Sequence, residues 1–248
     1  MDLPGFALVF VTGLVAGALN VVAGGGSFLT LPVLIFLGLP AGVANATNRV
    51  GILLQNVSAS WSFERSGVLD RRPLLLAVPP ALVGALVGSW AALEISDAAF
   101  QRVLALLMVA VTLWTLRPSR ARPADGDSTE LAIPPAVFSL GFFAAGLYGG
   151  FVQAGVGFLI LAVTTAAGLD LVRGNAIKVL TAFSFTVVAL TVFTWSGRID
   201  WLWGAALGAG MLSGGLIGAR LTVLKGHAWL QRVVTATILL FAAKLWFG

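Results

Sequence analysis

The chain contains no cysteine and a single histidine, His227. The first absence excludes disulfides and thiolate metal sites, and the second leaves no imidazole set for a His-based one. Charge is scarce as well. Asp, Glu, Lys and Arg make up 10% of the residues, whereas a soluble domain carries about a quarter to keep its surface in water. No nucleotide-binding loop, Ser/His/Asp set or metal-ligand cluster is present, so ATP-driven transport by this chain alone and hydrolytic chemistry both lack residues. No carboxylate lies deep in an apolar run. Glu64, Asp70, Glu94, Asp97, Asp170 and Asp200 all fall at segment ends, which argues against a buried Asp/Glu proton relay. Asp70 and Asp200 each follow a Ser-Gly turn and read as loop or helix-start residues. The N-terminus has neither a basic n-region nor a small-residue cleavage site and is read as retained.

What is present is apolar: 58% of the residues are hydrophobic. The formal net charge is +5, but the basic residues sit singly or in small groups between apolar stretches. That is how short loops of a membrane protein look, and not a nucleic-acid-binding patch. Apolar stretches run over 5–39, 44–63, 73–93, 98–116, 132–169, 174–196, 201–222 and 228–247. Six have about the 20 residues that span a bilayer as helix, while the first and fifth are too long. A straight helix over 5–37 would measure roughly 50 Å against a core of about 30 Å. Gly24-Gly25-Gly26 interrupts the first stretch and Gly155-Val156-Gly157 interrupts the fifth. Glycine costs about 1 kcal/mol in a helix interior and admits positive φ, so these clusters predict breaks, with Ser27 placed to cap the helix after the first.

The two long stretches belong to a duplication. Residues 22–103 recur, ungapped and shifted by 130, as residues 152–233, with 24 of 82 positions identical. Polar residues are among the identities: Asn45-Ala46 answers Asn175-Ala176, Ser66-Gly67 answers Ser196-Gly197, and Gln101-Arg102 answers Gln231-Arg232. The expected fold is an all-α polytopic membrane protein of two homologous halves, 1–116 and 132–248, each of about four hydrophobic helical segments. The polar segment 117–131 links them. Such a construction is common among secondary transporters, whose substrate lies where the repeats meet. If each broken segment crosses the membrane, the repeats are parallel; if it turns back as a hairpin, they are inverted. With Arg117, Arg120 and Arg122 placed in the cytoplasm, the hairpin arrangement puts more Lys and Arg inside, so positive-inside counting favours inverted repeats.

Candidate binding residues gather at the breaks and just after them. Backbone groups freed at a break inside a membrane must be satisfied by protein, water or substrate, and the start of the following helix suits an anion. Gly24, Gly25, Gly26, Ser27, Gly155 and Gly157 are therefore candidates. Close packing through small residues is the competing explanation, and the preferred one for Gly84, Gly88, Gly214 and Gly218. The second helix of each half opens with Asn45-Ala-Thr-Asn48-Arg49 and Asn175-Ala-Ile-Lys178. Arg49 and Lys178, one place apart in the repeat register, either hold an anion or snorkel to the interface. Gln55 and Gln153, polar in apolar surroundings, either bond substrate or join helices.

Taken together, the glycine-rich run from Ala16 to Pro32, the Asn-Ala-Thr-Asn-Arg helix start, the Ser-Gly-x-x-Asp turn and the run Gly146-Leu-Tyr-Gly-Gly-Phe-Val-Gln-Ala-Gly-Val-Gly-Phe-Leu resemble the sulfite exporter TauE/SafE family of bacterial membrane permeases. The resemblance covers nearly the whole chain. It implies transport of sulfite or small organosulfur anions across the bacterial inner membrane. The expected protein is thus a multi-pass, non-enzymatic carrier of a small anion, working by alternating access of two repeats, without metal, cofactor or nucleic acid. A passive anion channel of the same architecture is the first alternative, and a membrane-embedded enzyme or assembly factor the second. A homodimer is left open.

Overall fold

The computed structural model describes residues 3–69, 71–115 and 131–225. Asp70, His227, nearly all of the 117–131 linker and the eighth apolar stretch lie outside the described residues. Those described form helices and no strands: α1 Leu3–Ala23, α2 Ser27–Phe36, α3 Ala41–Arg65, α4 Arg71–Glu94, α5 Asp97–Thr115, α6 Pro135–Val152, α7 Val156–Ala166, α8 Leu171–Trp195 and α9 Trp201–Lys225. Five of them are long and apolar enough to cross a membrane: α1, α4, α6, α8 and α9. The polar residues of α3 lower its hydropathy, yet Asn45, Thr47, Asn48, Arg49, Gln55 and Asn56 are all buried. Large apolar side chains such as Leu75, Leu140 and Trp195 instead face outward, as on a surface that meets lipid.

Chain direction follows from which residues lie side by side. Phe10, Leu14 and Ala18 of α1 lie against Gly210, Gly214 and Gly218 of α9, so these helices run the same way. Val50 and Leu54 of α3 meet Gly204 and Gly208, and Ser58 Oγ donates to Leu212 O at 2.8 Å, so α3 runs with α9 too. Since α1 and α3 are parallel, the chain between them must double back. A β-carbon on Gly26 would strike the Ala16 carbonyl, which places the start of α2 alongside α1 rather than beyond its end. By the same reading α6 runs with α4, Ala81 and Ala85 lying against Gly146 and Gly150. Helix α8 opposes α3: Arg49 lies over Phe193 near the end of α8, while Ala59 shares a cluster with Ala176 near its start.

Helix contacts exchange between the halves. Helix α1 packs on α9 and α6 on α4. Glycine makes this approach close enough. A β-carbon on Gly84 or Gly88 would run into the Phe143 or Leu147 carbonyl, and one on Gly214 or Gly218 into that of Leu14 or Ala18. These four glycines are therefore packing residues, and they correspond pairwise in the repeat register.

Carboxylates serve helix starts. Asp170 accepts from the backbone N–H groups of Val172 and Arg173 at 2.8 and 3.0 Å, and Asp200 from those of Leu202 and Trp203 at 3.1 Å each. Both shield the freed donors of a first helical turn. Ser27 does not cap α2: Gly26 holds that position without a side-chain bond. Ser27 is instead the first residue of the helix, and its Oγ accepts from Asn48 Nδ2 at 3.1 Å.

Gly84→Leu and Gly214→Leu should each lower stability by about 1–3 kcal/mol or more, because the added side chain has only backbone to displace. Thermal unfolding in detergent measures this against Leu140→Ala, an outward-facing change expected to be near neutral. Glycine variants as stable as the parent would contradict the close approach.

Candidate functional site

Helices α1 and α6 end inside the protein, and the last carbonyls of a helix have no partner within it. Arg49, fully buried on α3, meets those of α6. Its Nη1 donates to Gly149 O and to Gln153 Oε1, both at 2.9 Å, and its Nη2 donates to Gly150 O at 2.6 Å and Phe151 O at 3.4 Å. Asn45 Nδ2 adds a bond to Phe151 O at 2.9 Å. Lys178, buried on α8, does the same for α1: its Nζ donates to Asn20 O at 3.2 Å, Val21 O at 2.5 Å and Asn175 Oδ1 at 2.6 Å.

Asn20 and Val21 correspond to Gly150 and Phe151 in the repeat register. Each half thus sends a cation to the same two carbonyls of the other half's broken helix. A helix C-terminus carries partial negative charge, which favours a cation there. Both residues are buried rather than snorkelling, and among the described residues no carboxylate bonds to either. Among the described residues, Arg173 pairs with Asp170 at 3.3 Å at the start of α8.

The two breaks touch. A β-carbon on Gly24 would collide with the Gly157 Cα and the converse holds, so only glycine lets the breaks meet. Gly24 and Gly155 also have φ of +85° and +80°, which a side chain resists. Gln153, at the end of α6, has φ of +28° without being glycine. Its side chain holds it there: Oε1 accepts from Arg49 and Nε2 donates to Thr186 Oγ1 at 2.8 Å.

Beside the breaks lies a small, partly open cavity between the middles of α3 and α8. Asn20, Gly24, Gln55, Asn56, Gln153, Gly157 and Lys178 line it, with Ile52, Val156, Val179 and Ala182 as its apolar part. Asn20 Nδ2 donates to Gln55 Oε1, and Gln55 Nε2 donates to Asn56 Oδ1, both at 3.0 Å. The chain of amides ends at Asn56 Nδ2, buried and without a protein partner. A buried donor without an acceptor costs about 1–3 kcal/mol, so a ligand acceptor there is favoured.

Five of the sequence candidates meet at this wall: Gly24, Gln55, Gln153, Gly157 and Lys178. Gly25, Gly26, Ser27, Asn45, Asn48, Arg49, Gly155 and Asn175 do not line it. Asn48 joins α3 to the start of α2 through Ser27 and through Thr30, whose Oγ1 donates to Asn48 Oδ1 at 2.6 Å. Asn20 and Asn56 escaped the sequence reading. Their signal was present: Asn20 is a polar residue four places before the glycines, and Asn56 adjoins Gln55 within an apolar run.

The family model described as sulfite exporter TauE/SafE matches residues 9–245. Among curated relatives, a probable membrane transporter protein of Haemophilus influenzae is 26% identical over 240 residues, 96% of this chain and 93% of the relative. Another of that description from Sinorhizobium is 27% identical over 242 residues, 96% and 91% of the two chains. The Escherichia coli probable membrane transporter protein YfcA is 26% identical over 239 residues, 96% and 88%. No solved structure matches the chain.

Arg49→Met should destabilise the protein by about 3 kcal/mol or more, since it strips charge-assisted bonds from several buried carbonyls at once. Arg49→Lys should recover only part of this, because an ammonium cannot reproduce the guanidinium fork. Thermal unfolding of the purified variants reads both changes. Full recovery by lysine would contradict the geometry.

Proposed function

Because the chain belongs to the sulfite exporter TauE/SafE family, a family of membrane transporters, we propose that it carries a small anion, sulfite or an organosulfonate, across the bacterial inner membrane. The observation that carries this reading is the cavity where the two breaks meet. Lys178 stands on its wall, the start of α7 borders it with a positive dipole end, and Asn56 Nδ2 has no partner among the described residues. Arg49 enters through Gln153, which it holds against the cavity by hydrogen bond.

The halves, 1–116 and 132–248, are inverted repeats in this reading, and each broken segment is a re-entrant hairpin. The support is directional: α1, α3 and α9 run one way, α8 runs the other, and α2 starts alongside α1. Transport is by alternating access, the halves rocking about a site that both line. The interlocking contacts suit such motion only if packed helix pairs move as units, α1 with α9 and α4 with α6.

The protein in liposomes should mediate saturable sulfite uptake that unlabelled sulfite on the far side accelerates, as a carrier does and an open channel does not. Lys178→Met should abolish it. Flux that is linear in concentration, or intact in a folded Lys178→Met protein, would overturn the carrier reading. For topology, reporters fused at Gly126 and Gly226 should lie on one side, and one at Ala41 on the other. Opposite sides for Gly126 and Gly226 would restore crossing segments.

A further inference from the structure

We propose that Phe63 and Phe193 are the two gates of the alternating-access cycle, each the centre of an apolar plug that parts when its face of the protein opens. The inference rests on the inverted-repeat, alternating-access reading above and adds the residues that close each side. Phe63 is fully buried with Val21, Ala59, Ala176 and Val179, and Leu69 packs against that cluster. Phe193 is buried with Ala46, Ala92 and Ala189, and Phe151 and Ile199 pack against it. By the 130-residue shift, Val21, Ala59, Phe63 and Leu69 become Phe151, Ala189, Phe193 and Ile199, while Ala46 becomes Ala176. The two clusters are one arrangement built twice, with the parts of α3 and α8 exchanged.

Their positions suit gating. Phe63 lies near the end of α3 and Ala176 near the start of α8, whereas Phe193 lies near the end of α8 and Ala46 near the start of α3. Because α3 and α8 run oppositely, the clusters stand at opposite ends of this helix pair. The cavity lies between them. Asn56 on its wall precedes Phe63 by about two helical turns on the same side of α3, and Val179 belongs both to the wall and to the Phe63 cluster. Toward the other end, Gln153 on the wall bonds Thr186, which precedes Phe193 by the same interval on α8.

Each cluster joins residues of both halves by apolar contact, which is non-directional and parts without stranding a buried hydrogen-bond partner. Between the clusters, the charge-assisted bonds of Arg49 and Lys178 to the ends of α6 and α1 resist separation. Rocking about that bonded middle parts one plug and presses the other shut. One equivalent position differs. The Arg49 guanidinium lies 4.7 Å from the centre of the Phe193 ring, and its counterpart by the shift is Val179, beside Phe63. Cation–π attraction therefore holds the Phe193 plug, and Val179 supplies none at Phe63. The Phe63 side opens more readily.

The chain contains no cysteine, so an introduced thiol reports each plug. Ala59→Cys and Ala189→Cys place it at equivalent, fully buried positions. The full-length variants are treated in sealed vesicles of either orientation with a charged methanethiosulfonate that does not cross membranes. Ala59→Cys should react only from the face at the end of α3, Ala189→Cys only from the opposite face, and the first about tenfold faster. Phe63→Leu should speed the reaction of Ala59→Cys and slow that of Ala189→Cys. With both cysteines present, a label already on Ala59→Cys should wedge its plug apart and slow reaction of Ala189→Cys by about tenfold or more. Parental thermal unfolding and complete reaction in denaturant certify each variant. No reaction of either thiol in folded protein, or reaction of both from one face, would overturn the gates while leaving alternating access standing. Sided reaction with neither label affecting the other would show plugs that move independently and would overturn alternating access itself. Equal rates at the two thiols would overturn the ranking by Arg49.

Discussion

A helix that stops inside a protein leaves carbonyl oxygens pointing at nothing, and the architecture turns on how two such ends are satisfied. Helices α1 and α6 both end at interior breaks, and each is met by a buried cation from the opposite half. The bonds are charge-assisted and shared among several carbonyls, and the helix dipole stands in for a carboxylate partner. A buried ion pair is therefore unnecessary, which fits a chain whose described carboxylates all sit at or near helix ends. These bonds also tie distant stretches of chain together, α3 to the end of α6 and α8 to the end of α1.

Close glycine packing and the cavity follow from the same arrangement. Beside these contacts, α1 approaches α9 and α6 approaches α4 at backbone distance, and glycine is the residue that permits it. The breaks then meet at Gly24 and Gly157, and the space beside them is walled by the amides of α1 and α3 and by Lys178. Lys178 serves two ends at once: it completes α1 and it stands on the wall of the cavity. Arg49 completes α6 from behind and touches the cavity through Gln153, whose unusual backbone is held by bonds at both ends of its amide.

Much of this was legible from the residues. The helical character, the packing role of Gly84 and Gly214, and the helix-start role of Asp200 all follow from local chemistry that tertiary structure leaves intact. Family membership was legible too, from the order of weak glycine-rich motifs. The partners of Arg49 and Lys178 were not. Their acceptors are backbone carbonyls about a hundred residues or more away, and no side-chain pattern marks a carbonyl. Ser27 was misread for a related reason: its neighbour on α3, Asn48, competes for the hydroxyl that a local rule assigns to capping. Asn20 and Asn56 were overlooked because each is a lone amide, whose meaning comes only from the residue opposite.

The central claim is that the anion sits beside the meeting point of the two breaks. Crystals soaked in 2-bromoethanesulfonate would place its bromine by anomalous scattering and its sulfonate by the accompanying density. The account predicts the sulfonate between Lys178 and Asn56, with the bromine toward Ile52 and Val179. A sulfonate bound at Arg49 on the far side of Gln153, or only at the helix ends on the protein surface, would contradict it.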